Sequence, residues 1–306
     1  MWIVRGLESY PPDASPCVVA LGAFDGVHLA HRAILGTAVS RGRELGIPAV
    51  ACTFDPHPME VLQPDRSPIP ITTMQERLGL IAATGVDGAV ILAFTHQTAA
   101  IEPEVFVKDV LLARLRVREV VVGFNHTFGR GARGNANLLE ALAERLAFRV
   151  RVVPPLAVEG VPVSSSAIRS ALQRGDVEYA AKLLGRPYSV AGAVVQGAGR
   201  GRSLGFPTAN VQPEKALLVA TGVYVCRVDL EGGCHDAVVN VGVRPTFDEH
   251  VVAVEAHVLD FSGDLYGLRL GLSFLKRLRG EMKFPSVDAL REQIRRDVAS
   301  AREAGG

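Results

Sequence analysis

Apolar and polar positions change their rhythm once along this chain, and the change divides it in two. Up to Leu184 short Val-rich runs alternate with stretches of helical period. The runs CVVALGAF (17–24), PAVACTF (48–54), GAVILAF (88–94), REVVVGF (118–124) and FRVRVVP (148–154) predict five buried strands. Between them the pattern predicts helices over 27–45, 73–84, 102–115 and 137–147, the first stopped by Gly46-Ile47-Pro48. Strands separated by helical crossovers form a parallel sheet with helices on both faces. Two short helices follow, 167–174 and 177–184, with Asp176 as N-cap of the second.

After Gly185-Arg186-Pro187 the period shortens to two. YSVAGAVVQG (188–197), GVYVCRVDL (222–230), HDAVVNVGV (235–243), VVAVEAHVLD (251–260) and LRLGLSFLKRL (268–278) read as the strands of a small antiparallel barrel or sandwich. A last amphipathic helix, 286–304, is capped by Ser286. The change of pattern sets the domains at 1–185 and 186–306, and a length of 306 residues accommodates two.

Charge narrows the partners. With 33 basic and 32 acidic residues the net charge is +1, so no polybasic face for nucleic acid is expected. The first sixteen residues, MWIVRGLESYPPDASP, lack a secretory pattern. No apolar run reaches the roughly 20 residues that cross a bilayer. The four cysteines include no Cys-x-x-Cys pair, and Cys17 and Cys52 sit in apolar runs as buried thiols. These features predict a cytoplasmic protein with no membrane partner.

Three stretches carry chemistry. GAFDGVHLAH (22–31) turns from the first strand into the first helix, where free N–H groups and the helix dipole favour phosphate. Gly22 and Gly26 permit a tight turn, and His28 and His31, three apart, share a helix face. SSSAIR (164–169) offers hydroxyls and an Arg fork to phosphate oxygens. GAGRGRSLGFPTAN (197–210) combines a Gly-rich backbone with Thr208 and Asn210, hard oxygen donors suited to magnesium. Taken singly these read equally as surface histidines, a serine cap and a polar hairpin tip.

GAFDGVHLAH resembles the His-x-Gly-His signature of the nucleotidylyltransferase superfamily in its flavin-adenylating branch, with Ala30 where glycine is usual. TFDPHP (53–58), GFNHTFGRGARGN (123–135) and SSSAIR resemble the further motifs of that branch in the same order; His126 stands where an aromatic residue is frequent. From Leu184 to Arg302 the chain resembles riboflavin kinases, with their Pro-Thr-Ala-Asn hallmark at Pro207–Asn210 and their catalytic glutamate at Glu255. One departure is LLVATGVY (217–224), which lacks the proline usual before Gly-Val-Tyr.

The resemblance is to the bifunctional riboflavin kinase/FAD synthetase family. It implies an α/β, Rossmann-like nucleotidylyltransferase domain followed by an antiparallel β-barrel kinase domain with a terminal helix. It implies phosphorylation of riboflavin to FMN in the second domain and adenylylation of FMN to FAD, with release of pyrophosphate, in the first. ATP would be co-substrate and Mg2+ the cofactor. In the first domain His28 and His31 would be catalytic, with Gly22, Phe24, Asp25, Gly26, Asn125, Ser164, Ser165 and Arg169 binding nucleotide and substrate. In the second, Glu255 would be catalytic, and Gly201, Arg202, Pro207, Thr208 and Asn210 would bind, Thr208 and Asn210 also holding the metal. Phe284 and the start of the last helix would wall the flavin ring. Two alternatives stay open: a different adenylyl acceptor, such as a pantetheine phosphate, and a flavin carrier without turnover. Oligomeric state and domain orientation are not set by the sequence.

Overall fold

A computed structural model describes residues 1–197, 201, 204–230, 233–245 and 250–305. The chain divides into two compact units, Met1–Ser165 and Ser166–Gly306.

The first unit is built on a parallel sheet of β1 (Trp2–Arg5), β2 (Cys17–Leu21), β3 (Ala49–Asp55), β4 (Gly88–Ala93), β5 (Val117–Gly123) and β6 (Arg149–Val153). Its order is β1-β4-β3-β2-β5-β6. Both faces are covered, which is why CVVAL reads as a continuous apolar run. Cys17, Val19 and Leu21 of β2 enter one core layer, and Val18 and Ala20 the other. The main helices are α1 (Leu29–Leu45), α2 (Met74–Ala82) and α3 (Ala136–Leu146). Gly46 ends α1 in the left-handed conformation at φ 65°, and Thr73 and Glu76 form a capping box at the start of α2.

The sequence pattern predicts five strands here and the structure has six. β1 is four residues at the sheet edge with exposed Trp2 and Ile3, too short to carry a period, and is fixed by pairing with β4. The helix predicted from 27 begins at Leu29, because Val27 has φ 39° and His28 is the N-cap. The helix predicted over 102–115 comprises Pro103–Val105 followed by a π-helical run, Phe106–Arg114.

A charge cluster around one buried carboxylate ties α1 to the sheet. Glu119 on β5 accepts from Arg41 Nε at 2.9 Å and Nη2 at 3.0 Å, and from Arg151 Nε at 3.0 Å. Burial opposes ionisation of Glu119, but hydrogen bonds and charge from both guanidinium groups prevail and hold its pKa below the usual glutamate value. A carboxylate with a depressed folded pKa stabilises the fold above the unfolded pKa. It loses that contribution as pH falls through the folded one. Glu119→Ala is therefore expected to destabilise the first unit by about 1.5–3 kcal/mol at neutral pH, the scale of hydrogen bonds to a charged group, since it removes the acceptor that Arg41 and Arg151 share. The difference from the parent shrinks as pH drops below the usual glutamate range. Urea unfolding followed by fluorescence of Trp2, the one tryptophan, checks both.

In the second unit a closed antiparallel barrel contains β7 (Tyr188–Val195), β8 (Ala209–Pro213), β9 (Gly222–Leu230), β10 (Gly233–Pro245), β11 (His250–Val258) and β12 (Arg269–Arg279). Their order is β7-β8-β11-β10-β9-β12. Closure removes exposed strand edges. Tyr188, Tyr224 and Phe274 are among its fully buried side chains, with Tyr224 edge-on to Phe274 at 5.3 Å. The strand pattern predicts five of these strands and misses β8, which lies within the Pro-Thr-Ala-Asn stretch and beyond it.

Helices α4 (Ser165–Gln173) and α5 (Val177–Leu184) precede the barrel, and Asp176 caps α5 through Tyr179 N at 3.0 Å. The compact division falls ahead of them, whereas the sequence pattern changes after them, because α5 packs on β12 and β7. The terminal helix α6 (Val287–Gly305) is capped by Ser286, whose Oγ accepts from Ala289 N at 3.1 Å. Its Val298 and Ala301 pack with Val223, Val225 and Val238 of the barrel wall. Arg279 anchors the helix through Asp297 at 2.8 Å.

Candidate functional site

Each unit holds one polar constellation. In the first, β3 lies to one side of β2 and β5 to the other, so the order in which successive strands are added to the parallel sheet switches sides between β2 and β5. Loops leaving the carboxyl ends of these two strands stand at the usual ligand position in open α/β sheets. The two loops are 22–28 and 124–135, the first and third motifs of the sequence.

The turn after β2 is strained. Phe24 and Val27 adopt φ 51° and 39°, where side chains are unfavourable, and Gly26 adopts φ 82°. Buried contacts over-determine it. The Asp25 carboxylate accepts from Ile71 N at 3.0 Å and from Thr72 N and Oγ1 at 3.1 Å each. Thr72 Oγ1 also accepts from Gly26 N at 3.1 Å, and Thr53 Oγ1 donates to Ala23 O at 3.0 Å. Arg77 on α2 is buried and pairs with Asp25 at 3.6 Å, and its Nε has no hydrogen-bond partner. Phe24 and Asp25, expected to bind nucleotide, are thus buried inside the protein. They hold the turn: Phe24 packs under Gly22 and edge-on to the His31 ring at 5.3 Å.

The turn delivers the two histidines. His28 is the N-cap of α1, and its Nδ1 accepts from His31 N at 3.3 Å. An accepting Nδ1 carries no proton in this arrangement, which leaves Nε2 as the ring's donor. The rings stack at 3.6 Å with 15° between planes. Burial, with the neighbouring His28 and Arg77, holds the His31 pKa well below its usual range, so His31 is neutral at pH 7. Its Nδ1 is buried without a partner. Ala30 sits in the first turn of α1 beside them.

Asn125 is exposed just beyond β5. Next to it His126 is pushed down to about 4 by burial and stacks on Phe128 at 5.8 Å and 16°, in the manner of the aromatic residue it replaces. Ser165 Oγ donates to Asp25 O at 3.0 Å, which ties the serine motif to the histidine turn. Ser164 precedes α4, and Arg169 lies one turn along it from Ser165.

In the second unit strand register does the assembling. Asn210 of β8 stands opposite Glu255 of β11, which stands opposite Asn240 of β10. Directly paired residues project from the same face, their Cβ atoms about 5 Å apart. Ala209, Val211, Val239, Val254 and Ala256 between them are buried, so this polar row lies on the other face of the wall. Thr208 and Asn210 both face the Gly-rich stretch. A Cβ on Gly201 would stand 2.9 Å from Thr208 Oγ1, and one on Gly197 would overlap the Asn210 carboxamide. Glycine is thus required where this backbone crosses its polar neighbours. Arg202 lies outside the described residues.

A cavity of about 500 Å³ is lined by Pro207, Thr208, Ala209, Ala256, Phe261 and Tyr266 among others, so it meets the alternate residues of β8 and β11 and not the row itself. Its aromatic walls are Phe261 and Tyr266, from the DFSGDLYG stretch. Phe284, expected as a flavin wall, does not line this cavity and lies under the Arg279 guanidinium at 5.6 Å. Gly197→Ala is expected to displace Asn210 and slow whatever chemistry this row performs roughly ten- to a hundredfold, the scale of small misplacements. Chemistry in the first unit should be unchanged. Steady-state kinetics of each activity check this.

Thr72, Arg77 and Asn240 take part in these two sites and are not singled out by the sequence, where His257 reads only as a solvent-facing alternation beside Glu255. Only His257 carried a signal, its place two residues after Glu255.

Residues 10–167 match the family model FAD synthetase and residues 184–304 the model riboflavin kinase. The chain is 38% identical over 303 residues to the bifunctional riboflavin kinase/FMN adenylyltransferase of Pseudomonas fluorescens, covering 99% of this chain and 97% of that one. It is 36% identical over 309 residues to the protein of the same description from Escherichia coli K12, covering 100% and 98%. A crystal structure described as a macrolide-efflux protein from Streptococcus pneumoniae superposes with a TM-score of 0.90 at 31% identity, over 99% of both chains. Among the described residues of this chain no helix is long and apolar enough to cross a membrane.

Proposed function

Since this chain belongs to the bifunctional riboflavin kinase/FMN adenylyltransferase family, we propose that its barrel converts riboflavin to FMN and its parallel-sheet unit converts FMN to FAD, each with ATP. The observation that supports this reading is a polar constellation in each unit, each lying within the span of one matched family model. The assigned functional domains are 1–185 and 186–306, working on small molecules in the cytoplasm without nucleic-acid or membrane partners.

In the barrel Glu255 accepts the proton of the terminal ribityl hydroxyl as that oxygen attacks the γ-phosphorus of ATP, and ADP leaves. The carboxamides of Asn210 and Asn240 flank the carboxylate without adding charge. Gly201 lets the backbone pass close to the Thr208 side chain. Thr208 hydroxyl and Asn210 carboxamide oxygens fit Mg2+, a hard cation that takes few protein ligands beside substrate phosphates. The described residues contain no group of three or more His, Cys, Asp or Glu that would form an all-protein cage. When bound, Mg2+ supplies neutralisation of phosphate charge.

In the first unit an FMN phosphate oxygen attacks the α-phosphorus of ATP, the α–β bridge breaks, and pyrophosphate leaves. No covalent enzyme intermediate is needed, so positioning and charge stabilisation carry the rate. His28 donates from Nε2 to the phosphate oxygens, and the neutral His31 packs against it. Ser164 and Ser165 hold the outer phosphates, Gly22 and Gly26 bring the backbone close, and Asn125 faces the flavin. Protein supplied with FMN and ATP but no riboflavin should yield FAD and pyrophosphate in equal amounts; no FAD would overturn this half of the reading.

A further inference from the structure

Glu255 and Asn210 are held side by side by strand register, but Thr208 precedes the first paired residue of β8, Ala209. The residues just before Thr208 are gripped by a side chain of β11. His257 lies two residues beyond Glu255, so both project from one face of the strand. His257 Nδ1 is 2.8 Å from Pro207 O. A carbonyl oxygen only accepts, so Nδ1 carries the proton and donates. The ring also meets Phe206 edge-on, at 5.6 Å and 88°. Pro207 has no N–H, so its carbonyl is the one backbone group there that can be held. A solvent-facing histidine placed only by strand alternation would need neither contact.

We propose that His257 is a positioning residue for phosphoryl transfer: it clamps the Phe206-Pro207 segment to β11 and thereby keeps Thr208 beside Asn210 and Glu255. The inference rests on assigning riboflavin phosphorylation to the barrel. The donor's place on the ring gives a specific test. The amide nitrogen of asparagine stands where Nδ1 does, whereas that of glutamine reaches the Nε2 position.

The full chain is compared with its H257A, H257N, H257Q and E255Q variants. Riboflavin phosphorylation is measured against Mg·ATP, Mg·ADP binding by calorimetry, and FMN adenylylation separately. H257A and H257Q should lose about tenfold in kinase kcat/KM and in Mg·ADP affinity, the scale of one lost hydrogen bond to a ligand-holding segment. H257N should stay within about threefold of the parent, because its donor is retained. FMN adenylylation should be the same in all. Parental kinetics and ADP affinity in H257A, equal behaviour of H257N and H257Q, or a parallel loss of adenylylation would each overturn the clamp. E255Q separates the two levels. If E255Q retains kinase activity, the barrel assignment fails; if it loses activity while H257A does not, only the clamp fails.

Discussion

Glu255→Gln should abolish FMN formation and leave FMN adenylylation intact. The substitution keeps size, register and hydrogen-bonding shape, and removes only the capacity to take a proton. Asn210 and Asn240 still flank the position, so ATP binding and the barrel fold are expected to persist. Loss of a positioned general base lowers the rate by roughly 10²–10⁴-fold. Because the two constellations lie in separate units, FAD production from supplied FMN should match the parent. Product separation after incubation with riboflavin, and in parallel with FMN, reads both. Normal FMN formation by the variant would remove Glu255 from the chemistry.

His28→Ala should have the converse effect: FMN accumulates and FAD fails to form. Two consequences must be told apart, since His28 is both the phosphate donor and the N-cap of α1. Losing the cap destabilises the helix by about 1 kcal/mol. Losing a preorganised donor lowers turnover by about 10²–10³-fold. His28→Asn keeps an accepting side-chain oxygen for His31 N and lacks the Nε2 donor. It should therefore restore stability in thermal unfolding without restoring FAD synthesis. Recovery of FAD synthesis in His28→Asn would assign His28 a capping role alone.

Much of the fold was legible because both units write their burial into the sequence. β2 is covered on two faces and reads as a solid apolar run; the barrel strands are covered on one and alternate. Caps at Asp176 and Ser286 follow from residue type and place. What stayed hidden depends on distant partners. β1 is only an edge strand of four residues, recognisable by its pairing with β4. β8 begins inside a stretch whose glycines, proline and polar residues read as loop, and it becomes a strand through β7 and β11.

The sites divide in the same way. His28, His31, Thr208, Asn210 and Glu255 stand in local motifs, and the structure brings His28 against His31 and Asn210 opposite Glu255. Phe24 and Asp25 stand in the same motif, yet they face inward, because a turn with two positive-φ side chains needs internal anchors. Those anchors, Thr72 and Arg77, come from a segment some fifty residues on, with no pattern to mark them. Asn240 reaches Glu255 only through the pairing of β10 with β11.

The most direct measurement is a time course with purified protein, riboflavin, ATP and Mg2+, the flavins separated at each point. The account predicts that FMN rises first and FAD follows with a lag, at FMN's expense. Riboflavin left unphosphorylated, or FMN that accumulates and is never adenylylated while the protein is folded, would contradict it.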